Sequence, residues 1–317
     1  MKILFITASR IGDAVLSTGL LAWLVRRYPH CRITVACGAP AAALFACAPQ
    51  VERVIAMTKR KRSGHWLDLW RNVVGTGWSL VVDLRGSAIA WAIPALRRRI
   101  LWSKWQAEHR IAHLASVLAI EPQQPVLWSS PQTDAEAARL IPAGTPVLGI
   151  GPTANWGAKQ WPAERFLAVA QRLTSPAGIL PEARIAVFGG PAEREAAAPL
   201  LDALPSERCI DLVGTIDLPT AFACLKRMSF YFGNDSGLMH IAAAAGIPTL
   251  GLFGPSSELF YGPCGPRAAS IRGPRSFEDI CHAPDYDYRS PACLMLDLTV
   301  ERVAEAAEAL YRRTSGS

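Results

Sequence analysis

Short aliphatic and β-branched runs alternate with stretches of helical periodicity along most of the 317 residues. In the first half KILFIT precedes DAVLSTGLLAWLVRRYP, RITVAC precedes PAAALFACA, and VERVIAM and HWLDLWRNVVG lead into SLVVDL. Strands alternating with helices predict a parallel sheet covered on both faces. The Pro-rich EPQQPVLWSSPQ, the helical TDAEAARLI and PAGTP then read as a linker. From Val147 the alternation restarts: VLGIGP with PAERFLAVAQRL, ARIAVFGG with PAEREAAAPLLDAL, CIDLVG with DLPTAFACLKRM, SFYFGND with GLMHIAAAAG, then PTLGLFG. This predicts an α/β chain of two Rossmann-like domains, residues 1–145 and 146–317, facing each other across a cleft. The last helix, TVERVAEAAEALYRR, closes the chain and is a candidate to pack back on the first domain.

Half the residues are hydrophobic, enough to bury two cores without disulfides or metals. The N-terminal apolar run is too short for the core of a secretory signal, and no stretch approaches the ~20 apolar residues that span a bilayer. A cytoplasmic protein that meets membranes only at their surface is expected. Of the cysteines, Cys31, Cys37, Cys47, Cys209 and Cys224 lie in apolar patterns and read as reduced, buried thiols. Cys264, Cys281, His282 and Cys293 are looser, but their irregular spacing is a weak metal signal, and no metal site is expected. Charge is concentrated: ten Lys/Arg stand against Asp68 and Asp83 between Lys59 and Lys104, so this stretch carries the whole net charge of +7. Such a surface either keeps the chain soluble or meets something acidic.

Ligands of open parallel sheets bind beyond the carboxyl ends of the strands, so the turns there carry the candidate chemistry. In GPTANWGAKQWP, Lys159 sits just before a helix that begins at Pro162. A cation at a helix N-terminus is unfavourable unless a bound phosphate lies between them. In GNDSGLMH, Ser236 and the N–H groups of Gly237 and Leu238 can receive diphosphate oxygens. Asp235 is a candidate N-cap, and His240 lies on the same helical face as Ser236. Glu193, after FGG, can accept hydrogen bonds from ribose or base. The first turn, ASRIGDAV, is different: it offers one glycine and places Arg10 and Asp13 where phosphate loops carry glycines. No G-x-G-x-x-G follows the first strand and no G-x-x-x-x-G-K-[ST] occurs, which argues against a dinucleotide dehydrogenase and a P-loop NTPase.

FITASRIGDAVLSTGLLAWLVRRYP, VVDLRGS, GPTANWGAKQWPAERF, VFGGPAERE, GNDSGLMHIAAAAGIPTLGLFGPSS and ACLMLDLTVERV together resemble glycosyltransferase family 9, the bacterial lipopolysaccharide heptosyltransferases. The resemblance runs from the first strand to the last helix and implies a GT-B fold. It also implies inverting transfer from ADP-heptose, a co-substrate rather than a cofactor, without a DxD metal motif. It assigns Asp13 as general base and Lys159 to catalysis through the donor phosphate. Thr153, Glu193, Asp235, Ser236, Gly237 and His240 join Lys159 on the donor side. Gly19 departs from the family pattern, in which a proline is common in the first helix.

The resemblance gives the basic stretch a partner, the Kdo region of lipid A at the cytoplasmic face of the inner membrane, where the enzyme would be peripheral. Arg10, Arg60, Lys61, Arg62, Arg97 and Arg98 are the acceptor candidates, with Arg10 able instead to pair with Asp13. AIAWAIPALRRRILWSKW interleaves Trp91, Trp102 and Trp105 with Arg97, Arg98, Arg99 and Lys104. It reads equally as an interfacial segment or as a core helix with a basic end. Nucleic acid is not an expected partner, since no RNA or DNA motif accompanies the charge. The alternatives are a GT-B transferase of other specificity and a sugar-nucleotide or lipid-binding protein without turnover, in which Asp13 would have no purpose.

Overall fold

KILFI forms β1 (Lys2–Ile6), buried in all but its first residue. A run apolar at every position suits a strand covered on both faces, where alternation would expose one. The computed structural model describes residues 1–102, 107–284 and 286–315, with Arg62 by its backbone alone; Lys104 and Trp105 lie outside the described residues. After β1 come α1 (Ile11–Arg27), β2 (Arg32–Gly38), β3 (Val51–Met57), α2 (Gly64–Val73), β4 (Leu80–Asp83), β5 (Arg98–Ile100) and α3 (Arg110–Ala115). The strands make one parallel sheet in the order β3-β2-β1-β4-β5. One face buries Leu4, Ile6, Val81, Leu69, Val73 and Trp78 in a common core.

Two expectations for this unit change. PAAALFACA is a 3-10 turn, Ala39–Phe45, rather than an α-helix. AIAWAIPALRRRI does not form the core helix that is one of its two readings: a short 3-10 turn, Ala88–Ala90, is followed by β5, whose Arg98 pairs in register with Val81. Pro94 forbids a continuous helix, and the open edge of β4 supplies the hydrogen bonds that the segment takes instead.

The chain divides into units Met1–Ser130 and Pro131–Ser317, earlier than the expected 145/146. The helix α4 (Pro131–Leu140) packs against α7 (Leu218–Leu225) and therefore belongs to the second unit. The Pro-rich interval before it is not a free tether. A Cβ at Gly19 would lie 2.6 Å from the carbonyl oxygens of Gln123 and Gln124, and Val126 N donates to Thr18 Oγ1 at 3.0 Å. Gly19 thus lets the chain lie directly on α1.

The second unit contains β6 (Val147–Gly151), α5 (Ala163–Leu173), β7 (Arg184–Val187), α6 (Arg194–Ala203) and β8 (Cys209–Asp211). After α7 come β9 (Phe230–Asn234), α8 (Gly237–Ala244), β10 (Thr249–Phe253), α9 (Glu258–Tyr261), β11 (Ala268–Arg272), α10 (Phe277–Cys281) and α11 (Val300–Ser315). Its parallel sheet runs β11-β10-β9-β6-β7-β8. Numbered from its own first strand this is the 3-2-1-4-5-6 order of doubly wound folds. Val303, Ala304, Ala307 and Leu310 form the buried stripe of α11, at the spacing of one helical face. That stripe packs on α5, β10 and β11 of its own unit.

Candidate active site

The order of the second sheet reverses between β6 and β9, the place where a doubly wound sheet opens a crevice at its carboxyl edge. The turns after these two strands are joined there. Lys159 Nζ donates to Asp235 Oδ2 at 2.5 Å, with the side chains 20% and 7% exposed. Asp235 is therefore an ion-pair partner and not the N-cap of α8. The N-cap is Ser236, whose hydroxyl makes no capping bond, so the first N–H groups of α8 are left to other acceptors. Asn234 braces the same turns: its Oδ1 accepts from Trp161 N at 3.2 Å and its Nδ2 donates to Pro152 O at 2.7 Å. Sequence reasoning missed this residue, although a buried asparagine ending an apolar strand must find partners.

Buried hydroxyls collect at this edge. Thr153 Oγ1, Tyr231 Oη, Ser236 Oγ and Ser256 Oγ are shielded from solvent and complete no hydrogen bond among the described residues. Tyr231 reaches it through glycines: a Cβ at Gly151 would lie 2.0 Å from its hydroxyl, and one at Gly233 would lie 2.7 Å away. Burial, then the charge of Glu193, push the Tyr231 phenol up, while the neighbouring Ser236 hydroxyl works the other way. The tyrosine thus remains a neutral hydroxyl beside the Ser236 turn. Of the expected donor residues, Gly237 opens α8, His240 is buried in it and Thr153 is buried just beyond β6. Glu193 accepts from Gly190 N at 2.6 Å, which commits Oε2 to closing its own turn. Arg272 secures the turn after β10, donating to Ser256 O at 2.7 Å and to Glu258 Oε1 at 2.7 Å. It went unnoticed because β11 itself was not predicted.

In the first sheet the order reverses between β1 and β4. Asp83, fully buried, accepts from Arg85 N, Ser87 N and Ser87 Oγ at 2.8, 2.7 and 2.6 Å; it folds the VVDLRGS turn and is no candidate for catalysis. Arg85 donates to Ser9 Oγ at 2.8 Å and stacks 5.0 Å from the Trp66 ring, linking the turns after β1 and β4. Asp13 occupies the first turn of α1, 24% exposed, with Arg110 Nε 3.8 Å from Oδ1. Arg110 in turn contacts His113 Nδ1 at 2.7 Å. Arg10 is the exposed N-cap of α1 and, among the described residues, makes no ion pair with Asp13.

The acceptor candidates separate into different environments. Arg60 Nη1 meets Asp68 Oδ2 at 2.5 Å and lines a 370 Å³ pocket with Thr58, His65, Asp68 and Asn72. Lys61 and Arg97 are exposed, while the side chain of Arg62 lies outside what the structure describes. Arg98 is spent on the fold: it donates to Ala90 O, Ala95 O and Ile93 O at 2.6, 3.0 and 2.9 Å. A guanidinium holding three carbonyls of the turn before β5 is a structural clamp. Among the described residues no group of three or more His, Cys, Asp or Glu side chains has metal-binding geometry, Cys264, Cys281, His282 and Cys293 included.

The family model described as glycosyltransferase family 9 (heptosyltransferase) matches residues 41–285. Lipopolysaccharide heptosyltransferase 2 of Salmonella typhimurium is 26% identical, with 98% of each chain covered. Lipooligosaccharide heptosyltransferase 2 of Haemophilus ducreyi is 28% identical over 86% of this chain and 88% of its own. Among solved structures, the E. coli ADP-heptose lps heptosyltransferase II superposes with a TM-score of 0.77 at 25% identity, covering 99% of this chain and all of the other. The glycosyl transferase family 9 protein of Veillonella parvula superposes with a TM-score of 0.81 at 22% identity, covering 99% and 98%. A family match over most of the chain, relatives of matching length and two sheets of the same fold agree: the chain belongs to glycosyltransferase family 9, the heptosyltransferases.

Proposed function

We propose that this heptosyltransferase moves a heptose from ADP-heptose, with inversion, to the Kdo/heptose inner core of lipopolysaccharide at the cytoplasmic face of the inner membrane. The observation that carries the donor side is the Lys159–Asp235 pair at the β6/β9 switch point, beside the uncapped start of α8. An ammonium has three protons, so Lys159 can keep Asp235 with one and meet a diphosphate oxygen with another. The α8 N–H groups add to the same anion. Support for the sugar and acceptor comes from relatives named for these substrates.

In the reaction the acceptor hydroxyl oxygen attacks the anomeric carbon and the bond from that carbon to the β-phosphate oxygen breaks. ADP leaves with the electron pair, and the hydroxyl proton passes to the Asp13 carboxylate acting as general base. Lys159 and the α8 dipole stabilise the charge growing on the diphosphate. The ADP-sugar is a co-substrate, and neither cofactor nor metal is required. Among the described residues no helix is long and apolar enough to cross a membrane.

A donor screen by thermal shift tests this reading, because a ligand that binds only the folded state raises its apparent stability by mass action. ADP and ADP-heptose should raise the Tm where UDP- and GDP-sugars do not. A shift with UDP- or GDP-sugars alone would overturn the donor assignment.

A further inference from the structure

The edge strand β5 ends the first sheet, and its flanks hold apolar side chains that the fold does not use. Trp91, Leu96 and Trp102 are 61%, 85% and 65% exposed, among the largest exposures of big hydrophobic residues in the protein. Trp91 and Trp102 belong to one surface pocket of about 470 Å³, shared with Arg98, Arg99, Ser116 and Val117. Arg97 and Arg99 are exposed between them.

The arginines alone have an ordinary explanation, since charge on an edge strand discourages pairing with another chain. Two exposed tryptophans and a leucine do not serve that end, because they add the apolar surface that edge charges are there to offset. Arg98 tightens the contrast: its guanidinium clamps the turn and lies 5.6 Å from the Trp91 ring, so Trp91 is held outward on a rigid element. Tryptophan beside arginine, amphipathic and cationic together, is the chemistry of the boundary between headgroups and acyl chains. Between Trp91 and Trp102 the sequence carries three arginines and no acidic residue, the complement of an anionic leaflet.

We infer that the β5 edge is a membrane-docking surface, with Trp91, Leu96 and Trp102 entering the interface of an anionic bilayer and Arg97 and Arg99 meeting its headgroups. The inference rests on the proposal that the acceptor is lipid-linked, and it adds the surface by which the enzyme reaches it. No acceptor chemistry is involved, so the two can fail separately.

The experiment is co-sedimentation of the full chain with vesicles of phosphatidylcholine alone or mixed with phosphatidylglycerol. Wild type should bind the anionic vesicles, less in high salt as screening shortens the reach of the charges, and should bind the neutral ones much more weakly. Leu96→Asp, at a position too exposed to unfold the protein, and the pair Trp91→Ser/Trp102→Ser should each lower vesicle affinity by about tenfold or more. Arg99→Glu should do the same, since each basic residue near an anionic surface is worth about fivefold and reversal counts twice. The thermal shift with ADP should be unchanged in all of them. Wild type that binds neither vesicle, or a Leu96→Asp protein that binds as wild type does, would overturn the inference. An ADP shift retained alongside such a result would leave the donor site standing.

Discussion

Two strand-to-helix turns, after β1 and after β9, each bring an aspartate to the switch point of a doubly wound sheet, and their surroundings are opposite. Asp235 is almost fully buried, ion-paired to Lys159 and flanked by Asn234, which ties both ends of the β6–α5 loop to its strand. Asp13 is more open, with Arg110 at 3.8 Å and the exposed Arg10 at the start of its helix. A site for a leaving diphosphate must hold its charges in place before the ligand arrives, because preorganised dipoles cost nothing at the moment of reaction. A base must instead be reached by the proton it takes, which leaves its carboxylate near the surface.

Substitution at Asp13 tests the division most directly. Asp13→Ala should lower transfer by ~10²-fold or more while ADP still raises the Tm as in wild type. Turnover within a few fold of wild type would remove Asp13 from catalysis, and loss of ADP binding would mean that the two turns do not have separate roles.

Next in size is Lys159→Met, which strands a buried carboxylate. ADP affinity should fall by about tenfold or more, in line with a lost charge-assisted bond, and stability by up to about 3 kcal/mol. Adding Asp235→Asn should restore much of the stability and none of the ADP affinity. A double variant that regains both would make the pair a structural brace only.

Gly151→Ala probes the space that brings Tyr231 to the same edge. The new Cβ would meet the phenol oxygen at 2.0 Å, and such overpacking costs about 1–3 kcal/mol. Combined with Tyr231→Phe the cost should shrink, since the ring carbon behind the hydroxyl is 3.0 Å away. Equal costs in the two backgrounds, measured by urea unfolding, would show that the backbone shifts instead.

The smallest effect concerns Glu258, which with Arg272 anchors the turn after β10. Burial would raise the Glu258 carboxyl, but hydrogen bonds from Arg272 and from its own backbone, with the Arg272 charge, outweigh it and hold the group below the usual carboxylate range. The unfolded chain therefore binds this proton more readily. The stability from the pair is complete above the unfolded pKa and is lost as pH falls through the lower folded value. The Tm gap between wild type and Glu258→Gln should be widest near pH 7 and narrow as the pH falls through about 4. A gap independent of pH would detach the pair from stability.

Much of this was legible along the chain, and the exceptions are instructive. Strands buried on both faces announce themselves as unbroken apolar runs, so β1, β6, β9 and β10 were visible. β5, with three residues of which two are arginines, and β11, with no fully buried residue, were not. Both are edge strands, where one neighbour supplies the hydrogen bonds and the apolar signal fades. The donor turns stood out by Gly237, Ser236 and Lys159, but Asp235 looked like a helix cap because capping is the local use of an aspartate there.

The sequence by itself determined the two α/β units, the strands at their centres and the turns that carry Asp13, Lys159 and Ser236. These follow from local pattern, since hydrophobic period and turn residues act over a few positions. Only the tertiary structure decided the partners. Lys159 and Asp235 are 76 positions apart and meet because the sheet sets β6 beside β9. Arg98 is tied to three carbonyls of a turn that exists only because β5 pairs with β4. Pairing between distant residues depends on sheet order, and no periodicity along the chain records it.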